Sequence, residues 1–201
     1  MGVRQERRIQ LTIGCAFVGR FVSDLDDYVR KKEAARALAV AAARAAMTLD
    51  VDATINAADD LDRGDVFLTV TGTSAEAGDD GEVGRGNRVC GLITPYRVMT
   101  LEAAAGKNPV SHVGKLYGLA AGRIASSVIK ELGGVEDAAC VMVSQIGRPV
   151  NDPQVVDIGL VAEGAPSSSD LRTAVADIVR WQLDQMSGLR DELLAGRLTL
   201  Y

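Results

Sequence analysis

The sequence predicts an α+β fold, in which helices pack in layers on small sheets whose strands pair mainly antiparallel. The first observation is the order of elements that the 201 residues favour: strand, helix, strand, strand, helix, strand, strand, helix. The second is the shortness of the links between consecutive strands, since a parallel pair needs a crossover of about a dozen residues or more. Helices placed between such strand pairs would each cover one face of a sheet.

The first predicted strand lies at 8–18, where branched residues dominate, and a helix follows at 24–49. Ser23 is its expected N-cap, and aspartates fill its first turn, as the helix dipole favours. Its body is rich in alanine, the residue with the highest helix propensity. Together these features predict a long helix directly after the first strand.

Alternating residues predict two further strands at 51–57 and 65–71, with a turn between them. Asp59 and Asp60 lie in that turn. We interpret them as turn residues rather than as a paired carboxylate site, because aspartate readily bonds its own backbone in turns.

Periodicity and turn residues predict the later elements in this order: a helix at 110–132 ended by Gly133 and Gly134, strands at 137–146 and 154–163 joined by the turn GRPVNDP, a helix at 170–186, and a short helix with a tail at 191–200. We expect one α+β unit at 1–109, which carries a long glycine-rich loop, and a second at 110–201. The alternative is that the two interleave as one compact body.

Composition excludes several classes of protein. The formal net charge is −5, whereas a nucleic-acid-binding protein needs a basic face. The sequence contains neither a run of about 18 apolar residues, as a membrane span needs, nor the apolar segment of a signal peptide. Its three cysteines, Cys15, Cys90 and Cys140, are far apart and lack metal-ligand spacing. We expect buried, reduced thiols in a cytoplasmic protein.

The stretch at 71–115 carries the chemistry of the chain. It contains eight irregularly spaced glycines with basic and acidic residues among them. Glycine lets backbone amides approach a ligand closely, while basic side chains suit phosphate oxygens and carboxylates suit ribose hydroxyls or a metal. This mixture favours a nucleotide polyphosphate, and the alternative is a solvated surface loop. The spacing matches neither a P-loop nor a Rossmann motif.

Three segments carry a more specific resemblance. They are TVTGTSAEAGDDGEVGRGNRVCGLITPYR, EAAAGKNPVSHVGK and VSQIGRPVNDP, and INAADD at 55–60 is a further landmark. In this order they resemble the archaeal-type S-adenosylmethionine synthetases, also called methionine adenosyltransferases. The resemblance runs from about residue 8 to 163 and covers only the C-terminal half of that family's chain. The N-terminal half, which carries an ERKG-x-GHPD segment with a catalytic histidine and a metal-binding aspartate, is absent from this sequence.

The resemblance implies roles for individual residues. The family's G-D-x-G-x-x-G-R pattern corresponds to Gly78, Asp79, Gly81, Gly84 and Arg85. Asp79 would contact the ribose or the methionine ammonium, and Arg85 the triphosphate. Lys107, in the GKNP segment, would contact phosphate. His112 is either a phosphate ligand or a structural residue, and Asn87, Arg88 and Lys115 are weaker candidates for binding.

The family resemblance also implies a reaction, in which methionine sulfur attacks C5′ of ATP and displaces the triphosphate. The fold would be of the synthetase type, with Mg²⁺ as cofactor and K⁺ as a second candidate cation. We therefore expect one subunit of a split synthetase, inactive alone and joined with an N-terminal-type subunit in a dimer or higher hetero-oligomer. The alternatives are a non-catalytic nucleotide-binding or regulatory relic and a homodimer that only hydrolyses polyphosphate. Cys90, where the family pattern has asparagine, puts substrate choice in question.

Overall fold

The computed structural model describes residues 1–73, 86–100, 103–163 and 168–200, and the side chain of Ser168 is not among them. The chain forms two compact units, Met1–Asp79 and Asp80–Tyr201. Helices and small sheets occur in both units, so the predicted α+β class is confirmed. The division of the chain into units at 1–109 and 110–201 stays a prediction.

The first unit contains a three-stranded sheet covered by one long helix. Strands β1 (Gly2–Gln5) and β2 (Arg8–Ile13) pair antiparallel, and β2 pairs parallel with β4 (Asp50–Ile55). A second small sheet joins β3 (Phe17–Val18) to β5 (Leu68–Thr69), again in parallel. The expectation of mainly antiparallel pairs is therefore wrong for this unit.

The parallel pairing follows from the helix between the paired strands. Helix α1 (Leu25–Ala46) has 22 residues and packs against β4, so it supplies the crossover that a parallel pair requires. The expected strand at 8–18 is interrupted between β2 and β3, and the expected strand at 65–71 is reduced to the two residues of β5. Strand β4 buries Val51, Ala53 and Ile55.

The start of α1 lies one residue later than predicted. Asp24, not Ser23, is the N-cap, and its Oδ1 accepts a hydrogen bond from the Asp27 amide at 2.8 Å. The Asp27 carboxylate in turn accepts from the Ser23 amide at 3.0 Å. This reciprocal arrangement resembles a capping box and satisfies two amides that no helical carbonyl reaches.

The second unit is built around helix α2 (Val113–Glu131), which packs on a two-stranded antiparallel sheet of β6 (Val135–Val143) and β7 (Val155–Ala162). Helices α3 (Ser168–Asp184) and α4 (Met186–Leu194) also pack on α2. The predicted antiparallel pair is confirmed here. Two apolar clusters form the core, one around Leu116 and Met186 and the other around Ile124 and Val175.

Over the part of the chain that the structure describes, no helix is both long enough and apolar enough to cross a membrane.

Candidate anion-binding site

The GKNP segment forms a turn that leads directly into α2. Gly106 has φ +79°, a backbone conformation that glycine adopts at little cost. The Asn108 side chain accepts hydrogen bonds from the amides of Val110, at 2.8 Å, and Ser111, at 3.4 Å. The Asn108 side chain therefore fixes the turn by binding backbone amides two and three residues further on, as asparagine commonly does.

His112 is the N-cap of α2. Its Nδ1 accepts a hydrogen bond from the Lys115 amide at 3.2 Å, while its backbone amide donates to the Asn108 carbonyl at 3.0 Å. Nδ1 is therefore occupied by the helix cap. His112 therefore has the structural role that the sequence left open, as the cap of α2. The phosphate contact stays a prediction and would have to use Nε2.

Lys115 lies in the first turn of α2 and its side chain points back to the GKNP turn. The residue is 7% exposed, and its Nζ donates to the Lys107 carbonyl at 2.7 Å. Burial lowers the pKa of the Lys115 ammonium below its ordinary value. Among the described residues, Lys115 has no carboxylate partner. A buried ammonium held only by a carbonyl is costly, and an anion would compensate for that cost.

Lys107 lies at the same place and is also buried, at 6% exposure. Both backbone polar groups of Lys107 are hydrogen-bonded: its amide donates weakly to the Ala104 carbonyl at 3.4 Å, and its carbonyl accepts from Lys115 Nζ. The structure therefore brings together two of the predicted basic residues, next to a helix N-terminus. Helix N-termini and lysines both favour anions, and triphosphate oxygens are anionic.

Arg88 holds the loop at 86–100 together. The residue is 9% exposed, and its guanidinium donates to the Thr100 carbonyl at 3.0 Å and to the Gly86 carbonyl. The backbones of Arg88 and Gly91 exchange two hydrogen bonds of 2.9 Å, which close a tight turn. These contacts assign Arg88 a scaffolding role. Asn87 is half-buried beside it, and ligand contacts by either residue stay predictions.

The first predicted motif falls outside the described residues. Gly78, Asp79, Gly81, Gly84 and Arg85 belong to the stretch at 74–85, so their contacts with ribose, methionine or triphosphate stay predictions.

The first and third resembling segments meet in one apolar cluster at the start of α2, directly after the second segment. Leu116 and Tyr117 are buried there, and Val89 and Val150 pack against the cluster from the first and third segments. Burial and the nearby Asp152 carboxylate raise the pKa of the Tyr117 hydroxyl. Apolar packing thus places segments that are far apart in sequence around the turn that carries Lys107.

In the part of the chain that the structure describes, no three or more His, Cys, Asp or Glu side chains lie close enough together to hold a metal ion. Asp152, the carboxylate of the third segment, is paired with Arg148 at 2.8 Å. The described residues therefore supply cationic side chains and do not by themselves fit Mg²⁺. The expected Mg²⁺ and K⁺ stay predictions.

The cysteines depart in part from expectation. All three are free thiols, but Cys90 is exposed in the loop at 86–100, and Cys15 and Cys140 are half-buried. Burial raises the pKa of the Cys140 thiol to about 11. The expectation of a buried thiol is wrong for Cys90, which is exposed within the tight turn closed by Arg88 and Gly91.

A buried polar network in the first unit was missed by the sequence analysis. The Tyr28 hydroxyl donates to Asp59 Oδ2 and accepts from the Asn56 amide, both at 2.8 Å, and Lys32 Nζ donates to Asp59 at 2.6 Å. The Asp59 side chain is 4% exposed and also accepts from the Phe67 amide at 3.1 Å. Asp60 does serve the turn, where it accepts from the Arg63 amide.

The network has a signal in the sequence. Asn56 and Asp59 follow directly after the buried strand β4, within the INAADD landmark, and polar residues at such a place often have partners in the core. Asn56 has φ +45°, a conformation that asparagine tolerates, and its side chain bonds the amide and the carbonyl of Cys15. The spacing indicates a polar cluster, but the partner Tyr28 comes from α1.

Comparison of the sequence with known proteins assigns the chain to a family. The family model described as S-adenosylmethionine synthetase (AdoMet synthetase) matches residues 1–197. A protein of Aquifex aeolicus named "Probable S-adenosylmethionine synthase" is 56% identical over 79% of this chain and 40% of its own. The S-adenosylmethionine synthases of Hyperthermus butylicus and Pyrobaculum calidifontis are 47% and 44% identical over 100% of this chain and 50% of theirs.

The matched relatives are S-adenosylmethionine synthases. The chain belongs to the S-adenosylmethionine synthetase family. The likeness covers more of the chain than the predicted 8–163, and it spans about half the length of the curated relatives.

Proposed function

We propose that the chain is the triphosphate-binding part of a split S-adenosylmethionine synthetase and works with a separate N-terminal-type subunit. Membership of the family and the match to about half of each relative's length support this reading. The observation that carries the proposal is the buried Lys115 ammonium, which lacks a carboxylate partner among the described residues and lies beside Lys107 at the start of α2.

The proposed site uses charge to bind and orient the leaving group of ATP. Displacement of triphosphate from C5′ builds negative charge on the departing oxygens, and cations fixed in advance stabilise that charge most effectively. Lys107 and Lys115 would hold the triphosphate against the N-terminus of α2. The Lys115–Lys107 hydrogen bond sets the geometry of the turn before the ligand arrives, which limits the entropy lost on binding.

The partner subunit would supply what this chain lacks in the proposal. The family resemblance assigns a catalytic histidine and a metal-binding aspartate to the N-terminal half. Mg²⁺ would accompany the triphosphate, with carboxylate ligands from that subunit or from the stretch at 74–85. The chain alone is then a polyphosphate-binding protein that does not form the sulfonium product.

The rival function is a non-catalytic binding protein. It shares the Lys107 and Lys115 site, which lies entirely within the second unit of this chain, but needs no partner. The two readings differ in whether a complementary half of the fold restores synthesis from ATP and methionine.

Mass spectrometry of product formed from ATP and methionine tests the proposal. The chain is assayed alone and with the half of the Hyperthermus butylicus synthase that it does not match. We expect S-adenosylmethionine only in the mixture, and its loss with Lys107→Ala. Lys130→Ala, at the exposed end of α2, is the matched control and should leave product formation intact. No product in the mixture, with tripolyphosphate still bound by the chain, would favour the rival.

A further inference from the structure

The sheet of the second unit has two open edges, because within the described ranges β6 and β7 pair only with each other. The backbone groups on the outer edge of β7 therefore have no strand partner among the described residues. A two-stranded sheet is marginal alone, and an open edge readily pairs with another strand. This edge is eight residues long, from Val155 to Ala162.

An apolar groove runs beside this open edge, between β7 and α3. Its volume is about 580 Å³, and six apolar side chains provide most of its wall: Val156, Ile158, Leu160, Leu171, Val175 and Val179. The three β7 members alternate along the strand, so they project from one face of the sheet. A strand added to the edge would place alternate side chains in the same groove.

Two arginines of α3 line the groove as well. Arg180 is paired with Asp177 at 2.7 Å, whereas Arg172 has no acidic partner among the described residues. A second copy of the chain seated on this groove would bring like charges together, which is unfavourable. An extended apolar segment with a carboxylate would match both the groove and Arg172.

We propose that the open edge of β7 and the groove beside it receive an extended, alternately apolar strand from the half of the synthetase fold that this chain does not contain. This rests on the proposed function. The occupant is chosen because the relatives carry a segment of about equal length in the same polypeptide as the matching half. Pairing would extend the sheet and bury the groove, as in β-strand addition.

Ala176→Glu tests the proposal without disturbing the core. Ala176 lines the groove, and a glutamate there narrows it and repels an incoming carboxylate. Arg172 and Arg180 lie four residues to either side, so the new charge supports the helix. The control is Ser126→Glu on an exposed position of α2, with Lys130 four residues on.

The measurement is binding of the unmatched half of the Hyperthermus butylicus synthase to the full chain, by biolayer interferometry. We expect Ala176→Glu to raise the Kd about tenfold or more, which is the effect of losing one anchor residue at an interface. Ser126→Glu should leave the Kd unchanged. Hydrogen exchange should slow at 155–162 in the mixture.

The outcomes separate this inference from the proposed function. Product formation in the mixture with equal binding by both variants and no protection of β7 would overturn the docking site alone. Absence of both binding and product would overturn both. A chain that sediments as a dimer, and as a monomer with Ala176→Glu, would assign the groove to a second copy instead.

Discussion

Replacing Tyr28 by phenylalanine should loosen the first unit and leave the second unchanged. Tyr28 is fully buried, and its hydroxyl donates to Asp59 and accepts from Asn56 at 2.8 Å each. Phenylalanine keeps the ring, including its edge-to-face contact with Phe17 at 5.2 Å between centroids. The substitution therefore removes one oxygen and two hydrogen bonds, with little change in buried apolar area.

The size of the effect follows from what the partners retain. Asp59 keeps Lys32 and the Phe67 amide, and Asn56 keeps both contacts with Cys15, so neither is left without a hydrogen bond. A neutral buried hydrogen bond contributes about 1 kcal/mol, and one to a charged group about 1.5 to 3. We expect a loss of about 2 to 3 kcal/mol, which raises the open population of the unit about 30-fold or more.

Hydrogen exchange followed by mass spectrometry measures this opening peptide by peptide. Exchange at Asp50–Ile55 should accelerate by that factor, while Val135–Val143 in the second unit serves as the internal reference. Tyr96→Phe is the control, because Tyr96 is fully exposed. Unchanged exchange at Asp50–Ile55, or an equal acceleration in the control, would refute the assigned role of the hydroxyl.

Three further outcomes are expected. Burial raises the pKa of the Tyr28 hydroxyl to about 12 from an ordinary 10.0, so the unfolded chain loses this proton at a lower pH than the folded chain. The stability of the first unit should therefore fall between about pH 10 and pH 12. Tyr28→Phe should flatten that part of a profile of the urea midpoint against pH. Gly91→Ala should lower the calorimetric Tm of the second unit, because Gly91 has φ +124° and a side chain there costs about 1 to 3 kcal/mol of strain. Gly122→Ala, in open space on α2, should instead raise stability by about 1 kcal/mol. Lys115→Met should weaken tripolyphosphate binding about 10- to 100-fold by titration calorimetry, and Lys130→Met should not; equal binding by both would contradict the anion site.

Local signals predicted the elements well and their pairing less well. Alanine content and period identified α1 and α2 to within a few residues, because helix formation is decided by neighbours in sequence. The parallel pairing of β2 with β4 was not predicted, since alternation shows which face of a strand is buried but not which strand lies beside it. Strand β1 was missed because GVRQ is short and polar.

The candidate site was predictable in its residue types but not in its division of labour. The motif identified Lys107, His112 and Lys115, and the structure places them together. That Arg88 holds carbonyls of its own loop depends on the loop's path, which spacing does not reveal. The Tyr28–Asp59 bond joins residues 31 apart in sequence, so composition and periodicity carry no trace of it.

The apolar cluster at the start of α2 has a consequence for engineering. Val89, Leu116 and Val150 carry no charge, yet they set the spacing between the loop at 86–100, the GKNP turn and the third segment. Volume changes in a close-packed interior shift neighbouring backbone, and small displacements matter to groups that must be positioned precisely. A library aimed at changing the selectivity of the proposed anion site should therefore vary these three valine and leucine positions before the lysines. Such variants would retune the distances between fixed charges while keeping every charge in place.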